Sequence, residues 1–198
     1  MKSNKIYFIV IFVLLSVFTA VYIVMHKQND SRSLLYTMLT STVDFPGELV
    51  LCSPDSIHPN FTIDSEKAKV IIYFSDSGCM PCNVTHLPDY QWLYDIVAGC
   101  DVLEIYPIFS ADVELVRTVY DKTNCCYPVY IDPNNDFEKS NPFIPKESRY
   151  HTMIVDKNNK VVMVGNPLSG DKMYEVFKKI IKNIIGNNGV YVGENHVN

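Results

Sequence analysis

Apolar and polar positions along this chain fall into blocks, and the first block is set apart from the rest. Residues 6–25 carry no charged side chain, whereas two lysines precede them and His26 and Lys27 follow. A helix of roughly 20 apolar residues is long enough to cross the hydrocarbon core of a bilayer. A cleaved signal peptide usually has a shorter apolar run and a small-x-small site, which residues 18–20 (Phe-Thr-Ala) match poorly. We therefore predict that residues 1–27 form a retained transmembrane signal anchor.

The later blocks alternate between strand and helix patterns. In chain order they predict a short strand at 48–52, a buried strand at 70–74, a helix at 79–98 that Pro88 kinks, a strand at 102–109, a helix at 111–122, a strand at 127–131, a hairpin of 152–155 with 161–164, and a helix at 171–185. The hairpin turn contains two asparagines, which tolerate positive φ. The alternation predicts an α/β fold with a mixed, mostly parallel sheet and helices on both faces.

Four segments follow from these blocks: the anchor at 1–27, a stalk and N-terminal extension at 28–67, an α/β domain at 68–186 and a tail at 187–198. The domain is long enough to bury its own core. Lysines before the apolar run favour a cytoplasmic N-terminus, so we expect the domain to face the periplasm or the cell exterior. A net charge of −5 argues against a nucleic acid partner.

Two of the six cysteines stand three positions apart, directly after the predicted buried strand, as Cys79-Met80-Pro81-Cys82. A thiolate at a helix start is stabilised by the unpaired N–H groups there, and two thiols on one turn can close a disulfide. Redox chemistry is therefore our main interpretation. The alternative is a permanent structural disulfide, although so small a loop contributes little stability.

A metal site is a further alternative, because Cys82 and His86 are four residues apart and share a predicted helix face with Cys79 nearby. One helix offers only three ligands, so we expect no metal and no other cofactor. The remaining cysteines are Cys52, Cys100, Cys125 and Cys126. We expect buried free thiols there, with a disulfide from Cys125 or Cys126 to Cys52 or Cys100 as the alternative.

Several stretches together resemble the membrane-anchored, extracytoplasmic thioredoxin-like proteins of the TlpA and ResA type. They are residues 70–74, Gly78-Cys79-Met80-Pro81-Cys82, residues 127–132 and residues 152–157. The resemblance covers roughly residues 68–185, and its specific part is the Cys-x-Pro-Cys pair. It implies a thioredoxin-like fold, a disulfide-containing extracytoplasmic protein as substrate, and a membrane-embedded or periplasmic electron donor.

The chain departs from that family at two places. The family has a cis-proline just before the hairpin strand, facing the cysteines, whereas this chain has Tyr150 followed by His151. We assign Tyr150 and His151 to the substrate-binding loop and expect a trans bond there, because a non-proline cis bond costs about 2.5–4 kcal/mol. Gly78 stands where the family usually has an aromatic residue before the first cysteine, and Tyr73 occupies the strand position where cytoplasmic thioredoxins hold a buried acid.

The resulting hypothesis is an extracytoplasmic thiol-disulfide oxidoreductase. Cys79 is the expected nucleophile and Cys82 the expected resolving thiol. Met80 and Pro81 supply no cation or histidine that would make the pair more oxidising, which favours reduction of protein disulfides. A non-catalytic thioredoxin-like binding module and a copper or zinc carrier are the alternative functions.

Overall fold

The computed structural model describes residues 2–76, 80–123 and 125–193, with side chains from Leu14 onward except those of Met80, Pro81 and Asn83. The chain divides into two compact units, Met1–Thr37 and Met38–Asn198.

Most of the first unit is the helix α1 (Lys2–Leu39). Apolar side chains of its described part are exposed, among them Leu15, Phe18 and Val24. No helix within the described residues is long and apolar enough to cross a membrane. The predicted transmembrane anchor is therefore not confirmed, and the side chains of residues 6–13 in its apolar run lie outside the description.

The second unit is built on one seven-stranded sheet. Its strands are β1 (Leu49–Cys52), β2 (Ile57–Phe61), β3 (Ala68–Phe74), β4 (Leu103–Phe109), β5 (Val129–Ile131), β6 (Thr152–Val155) and β7 (Val161–Val164). The spatial order is β2-β1-β5-β4-β3-β6-β7. The α/β fold with a mixed sheet is confirmed.

The expectation of a mostly parallel sheet is wrong. Only the β3–β4 and β4–β5 pairs are parallel, and the other four pairs are antiparallel. Two of the antiparallel pairs, β1–β2 and β6–β7, lie at the two ends of the sheet, where the paired strands are joined by short connections. Such connections produce antiparallel pairs, whereas a parallel pair needs a long crossover.

The described part of the second unit contains five further α-helices. They are α2 (Met80–Thr85), α3 (Gln91–Val97), α4 (Val113–Tyr120), α5 (Asp136–Ser140) and α6 (Asp171–Gly186). The single helix predicted at 79–98 is wrong, because α2 and α3 are separated by a 3₁₀ turn, Leu87–Tyr90. Pro88 lies in that turn. Since proline has no N–H to donate, the predicted kink becomes a break.

Alternate residues of β3 divide the core into two parts. Val70 and Ile72 face one side, where they pack with buried side chains of α3 and α6. On the opposite side, the ring of Tyr73 lies 5.2 Å from that of Phe137 in α5. Helical segments therefore cover both faces of the sheet, as predicted.

Two elements were absent from the prediction. The edge strand β2 is largely exposed and contains Pro59, so its sequence shows no apolar alternation. The short helix α5 begins where the buried Asp132 carboxylate accepts hydrogen bonds from the N–H groups of Asp136 (3.0 Å) and Phe137 (2.7 Å). Five residues are too few to show helical periodicity, so the segment looked like a turn-rich link.

The predicted hairpin turn is confirmed and supports a buried lysine. Asn159 has a φ of 61°, and the Asp156 carboxylate accepts a hydrogen bond from the Lys160 N–H at 3.1 Å. Lys69 Nζ donates to Asn159 Oδ1 at 2.9 Å and to the Lys67 carbonyl at 2.7 Å. Burial lowers the pKa of Lys69. The turn thus provides a hydrogen-bond acceptor for the buried ammonium group of Lys69 near the start of β3.

A substitution at Asn141 would measure how much its buried hydrogen bonds stabilise the second unit. Its fully buried amide accepts from the Asp44 N–H at 2.9 Å and donates to the carbonyls of Asp44 and Phe137, both at 2.7 Å. Asn141→Ala should lower the free energy of unfolding by roughly 2–4 kcal/mol, because unsatisfied buried groups cost about 1–3 kcal/mol each. Chemical denaturation measures this, and the exposed Asn158→Ala serves as control. Equal stability of the two variants would contradict the assignment.

Buried tyrosines predict loss of stability at alkaline pH. Burial is the largest cause that raises the pKa of seven tyrosines: Tyr73, Tyr90, Tyr94, Tyr106, Tyr120, Tyr127 and Tyr130. Unfolded tyrosine ionises near about 10, so the unfolded chain releases protons first. The stabilising contribution is therefore complete below about pH 10 and is lost as the pH rises further. Tyrosinate absorbance and circular dichroism should change together in an alkaline titration.

The buried Tyr94 hydroxyl has no hydrogen-bond partner among the described residues, so Tyr94→Phe should raise the alkaline midpoint. The control Tyr36→Phe, at an exposed side chain, should leave it unchanged. Ionisation of every tyrosine before any loss of structure would be inconsistent with this account.

Candidate functional site

The two cysteines of the predicted redox pair follow the end of β3. Residues 77–79, which include Cys79, lie outside the described residues. Cys82 lies in α2, is exposed to solvent and is disulfide-bonded. The structure therefore places the expected resolving cysteine at the surface, shortly after the carboxyl end of β3.

A cleft of about 620 Å³ opens at this end of the sheet. Its described walls come from four stretches of chain: the end of β3, the turn after α2, the turn before β6 and the turn before α6. Polar side chains from three different stretches meet there, including His86, Arg149 and Asn166. A polar cleft built by several loops at one sheet end is a suitable place for a ligand or substrate segment.

The loop before β6 places the two predicted substrate-binding residues differently. His151 is 4% exposed and lines the cleft, and its Nε2 donates to the Pro145 carbonyl at 2.7 Å. Tyr150 is buried and is not among the described residues that line the cleft. The Arg149 guanidinium lies 4.6 Å from the Tyr150 ring centroid. No peptide bond in the described ranges is cis, as expected for a loop with tyrosine in place of proline.

Tyr73 joins the end of β3 to α5 through its hydroxyl. The hydroxyl lies 2.8 Å from Glu138 Oε2 and 2.9 Å from Asn135 Oδ1. Burial, followed by the hydrogen bond to the Glu138 carboxylate, raises the pKa of Tyr73. Tyr73 thus stays protonated, and the nearby carboxylate is supplied by a helix that the sequence did not predict.

His86 and Asp89 form a polar pair in the cleft that the sequence did not identify as such. The two atoms His86 Nδ1 and Asp89 Oδ2 are 2.9 Å apart, and both residues line the cleft. From the sequence, His86 is interpreted either as a metal ligand or as a polar residue of the helix surface. Within the described ranges, no three His, Cys, Asp or Glu side chains are grouped so that they could hold a metal ion. The signal for the pair was the spacing Cys82-x3-His86-x2-Asp89.

The other four cysteines are free thiols. Cys52 and Cys125 are buried, as expected, whereas Cys126 is exposed and Cys100 is partly exposed. Burial raises the pKa of Cys52, an effect that Arg117 partly opposes because its Nη1 lies 3.7 Å from the sulfur. Burial also raises the pKa of Cys125. Neither buried thiol is accessible to a substrate as a reactive cysteine is, although Cys52 has a cation beside it.

Comparison with solved structures places this architecture. A candidate protein disulfide isomerase from Bacteroides thetaiotaomicron shares 16% identity, with a TM-score of 0.51 over 75% of this chain and 92% of that one. The C-terminal domain of a candidate thiol-disulfide oxidoreductase from the same organism shares 12% identity, with a TM-score of 0.51 over 76% and 99% of the respective chains.

A third similar structure is the reduced 2-Cys peroxiredoxin of Plasmodium vivax, at 13% identity and a TM-score of 0.51 over 80% of this chain and 88% of that one. No protein-family model and no curated sequence matches the chain. At these identities the likeness concerns the fold. The second unit therefore has a thioredoxin-like α/β fold.

Proposed function

We propose that this chain is a thiol-disulfide oxidoreductase of the TlpA and ResA type that reduces disulfides in extracytoplasmic proteins. Two observations support the proposal: the Cys-x-Pro-Cys spacing follows β3 in the sequence, and the carbonyl of the exposed Cys82 accepts a hydrogen bond from the N–H of His86, which lines the polar cleft. Cys79 is the nucleophile, and Cys82, which is exposed and disulfide-bonded, is the resolving thiol. The other four cysteines, Cys52, Cys100, Cys125 and Cys126, are free thiols.

The reaction transfers two electrons from the cysteine pair to a substrate disulfide. The Cys79 thiolate attacks one substrate sulfur, which breaks the substrate disulfide and releases one substrate thiolate. The Cys82 thiolate then attacks Cys79, which releases the second substrate thiolate and closes the Cys79–Cys82 disulfide. A membrane-embedded or periplasmic donor returns the pair to its dithiol form. The reaction needs no bound cofactor, because the cysteines themselves are oxidised.

The direction of transfer follows from the residues between the cysteines. Strongly oxidising pairs have a reduced form that is stabilised by neighbouring positive charge. Met80 and Pro81 provide no charge. We therefore expect a reduction potential closer to that of thioredoxin, about −270 mV, than to that of DsbA, about −120 mV. A glutathione redox equilibrium measures this potential.

Insulin reduction driven by dithiothreitol tests the assignment of the two cysteines. The wild-type chain should accelerate precipitation of the insulin B chain, whereas Cys79→Ser should reduce the rate to that of dithiothreitol alone. Cys82→Ser should instead accumulate a mixed disulfide with the substrate, because the resolving step is removed. Cys100→Ser, a partly exposed free thiol, is the matched control and should retain full activity.

Retention of activity by Cys79→Ser would refute the proposed role.

A non-catalytic binding module is the alternative function. It is favoured by Tyr150, which replaces the proline of the substrate loop and lies outside the described lining of the cleft. That module would bind a partner in the cleft with equal affinity in the wild-type chain and in Cys79→Ser, and neither would reduce insulin.

We also propose that α1 attaches the chain to a membrane and leaves the second unit outside the cytoplasm. The uncharged run at residues 6–25 and the exposed apolar side chains of the helix support this proposal. A helix that is apolar all round favours a lipid environment over water. Lysines before the run favour this orientation.

Charges inside the run should abolish membrane attachment. The double variant Leu15→Lys/Val17→Lys should fail to co-sediment with phosphatidylcholine vesicles, because each charge near a helix centre costs about 2.5–3.5 kcal/mol. The control Gln28→Lys/Ser33→Lys adds the same charge beyond the run and should sediment as the wild-type chain does. Sedimentation of both double variants would rule out insertion of this helix.

A further inference from the structure

The cleft contains an imidazole–carboxylate pair to which the proposed exchange assigns no role. His86 Nδ1 lies 2.9 Å from Asp89 Oδ2, and both side chains are more than half exposed. A carboxylate oxygen only accepts hydrogen bonds, so Nδ1 carries the hydrogen. In the neutral ring, Nε2 therefore presents its lone pair and is able to take a proton.

His86 lies one helical turn beyond Cys82. The backbone N–H of His86 donates to the Cys82 carbonyl at 3.3 Å, which is the bond of an α-helical turn. Residues four apart on a helix have Cβ atoms about 5–6 Å from each other, and side chains lean towards the helix N-terminus. The imidazole of His86 and the thiol of Cys82 thus share one helix face, and both are exposed.

The other titratable or charged groups that line the cleft are already engaged or are unsuited to accept a proton. These groups are Tyr73, Tyr90, Arg149 and His151. The Tyr73 hydroxyl donates to a carboxylate, and His151 is only 4% exposed, with its Nε2 hydrogen donated to a carbonyl, whereas His86 is more than half exposed. Arginine has no acceptor atom, and burial raises the pKa of Tyr90. Among the groups in the described lining of the cleft, His86 is therefore the one suited to accept a proton from a thiol.

We infer that His86 is the general base for the resolving thiol Cys82, and that Asp89 is a positioning residue that holds the imidazole tautomer. The inference rests on the proposed function. In the mixed disulfide, His86 Nε2 takes the proton of Cys82, and the resulting thiolate attacks the Cys79 sulfur. The Cys79–substrate bond breaks, its electron pair leaves with the substrate thiolate, and the imidazolium returns the proton to that thiolate. The substrate gains two electrons and the cysteine pair loses two.

A two-step reaction with dithiobis-nitrobenzoate separates attack from resolution. The reduced full chain carries Cys100→Ser and Cys126→Ser, so that the thiols outside the pair are the two buried ones. Attack by Cys79 releases a first nitrothiobenzoate, and resolution by Cys82 releases a second. Each release is followed by absorbance in a stopped-flow instrument.

His86→Gln should slow the second release about tenfold at about pH 7 and leave the first unchanged. An ordinary thiol with a pKa of about 8.5 is about 3% ionised at that pH, so a base can accelerate its attack by at most about thirtyfold. The defect should disappear above about pH 9, where the thiol ionises without help. A merely structural defect would persist there. Asp89→Asn should give a smaller defect with the same pH dependence.

His58→Gln is the matched control, because His58 is an exposed histidine of β2 and lies outside the described cleft lining. It should leave both releases unchanged. If the second release in His86→Gln equals that of the wild-type chain at every pH, the inference is overturned while the proposed function stands. If Cys79→Ser leaves the first release unchanged, the proposed function itself fails.

Discussion

The pairing of β3 with both of its neighbours is the constraint on which the candidate site depends. β3 forms seven residue pairs with β4 and four with β6. The ladder continues past the strand ends, where the Tyr73 N–H donates to the His151 carbonyl and the Ser110 N–H to the Phe74 carbonyl, both at 2.9 Å. Buried backbone groups tolerate no loss of partner. The end of β3 and the loop before β6 are therefore held together, and this fixes two walls of the cleft.

The pattern of apolar residues predicts the long elements that are extensively buried. It does not predict elements whose position depends on a single polar contact or on one proline. β3 and β4 lie close to their predicted positions because they are buried along almost their whole length, and α6 does so because its buried side chains recur at helical spacing. The helix α5 depends instead on two hydrogen bonds to the Asp132 carboxylate. The break between α2 and α3 depends on the missing N–H of Pro88. Such events involve one side chain, so periodicity does not reveal them.

From the sequence, the cysteine pair of the candidate site could be predicted, but the residues that surround it could not. The spacing of Cys79 and Cys82 is visible in the sequence, but the surroundings of the pair come from segments far along the chain. Glu138 reaches Tyr73 across 65 positions. The cleft is lined by the turn after α2 and by the turns before β6 and α6. These turns are far apart in the sequence and meet because β3 and β6 are neighbours in the sheet. Contacts of this kind follow from topology, which local pattern does not encode.

The two histidines of the cleft, His151 and His86, differ in burial and in the hydrogen bonds that their ring nitrogens make. His151 is buried, and its Nε2 hydrogen is committed to the Pro145 carbonyl, so a change of protonation there would disturb a bond that shapes the loop. His86 is exposed, and its bond to Asp89 involves only Nδ1. A weak surface pair of this kind adds little stability, but it does select a tautomer. The fold thus holds His151 in the wall of the cleft and leaves the imidazole of His86 exposed, one helical turn after Cys82.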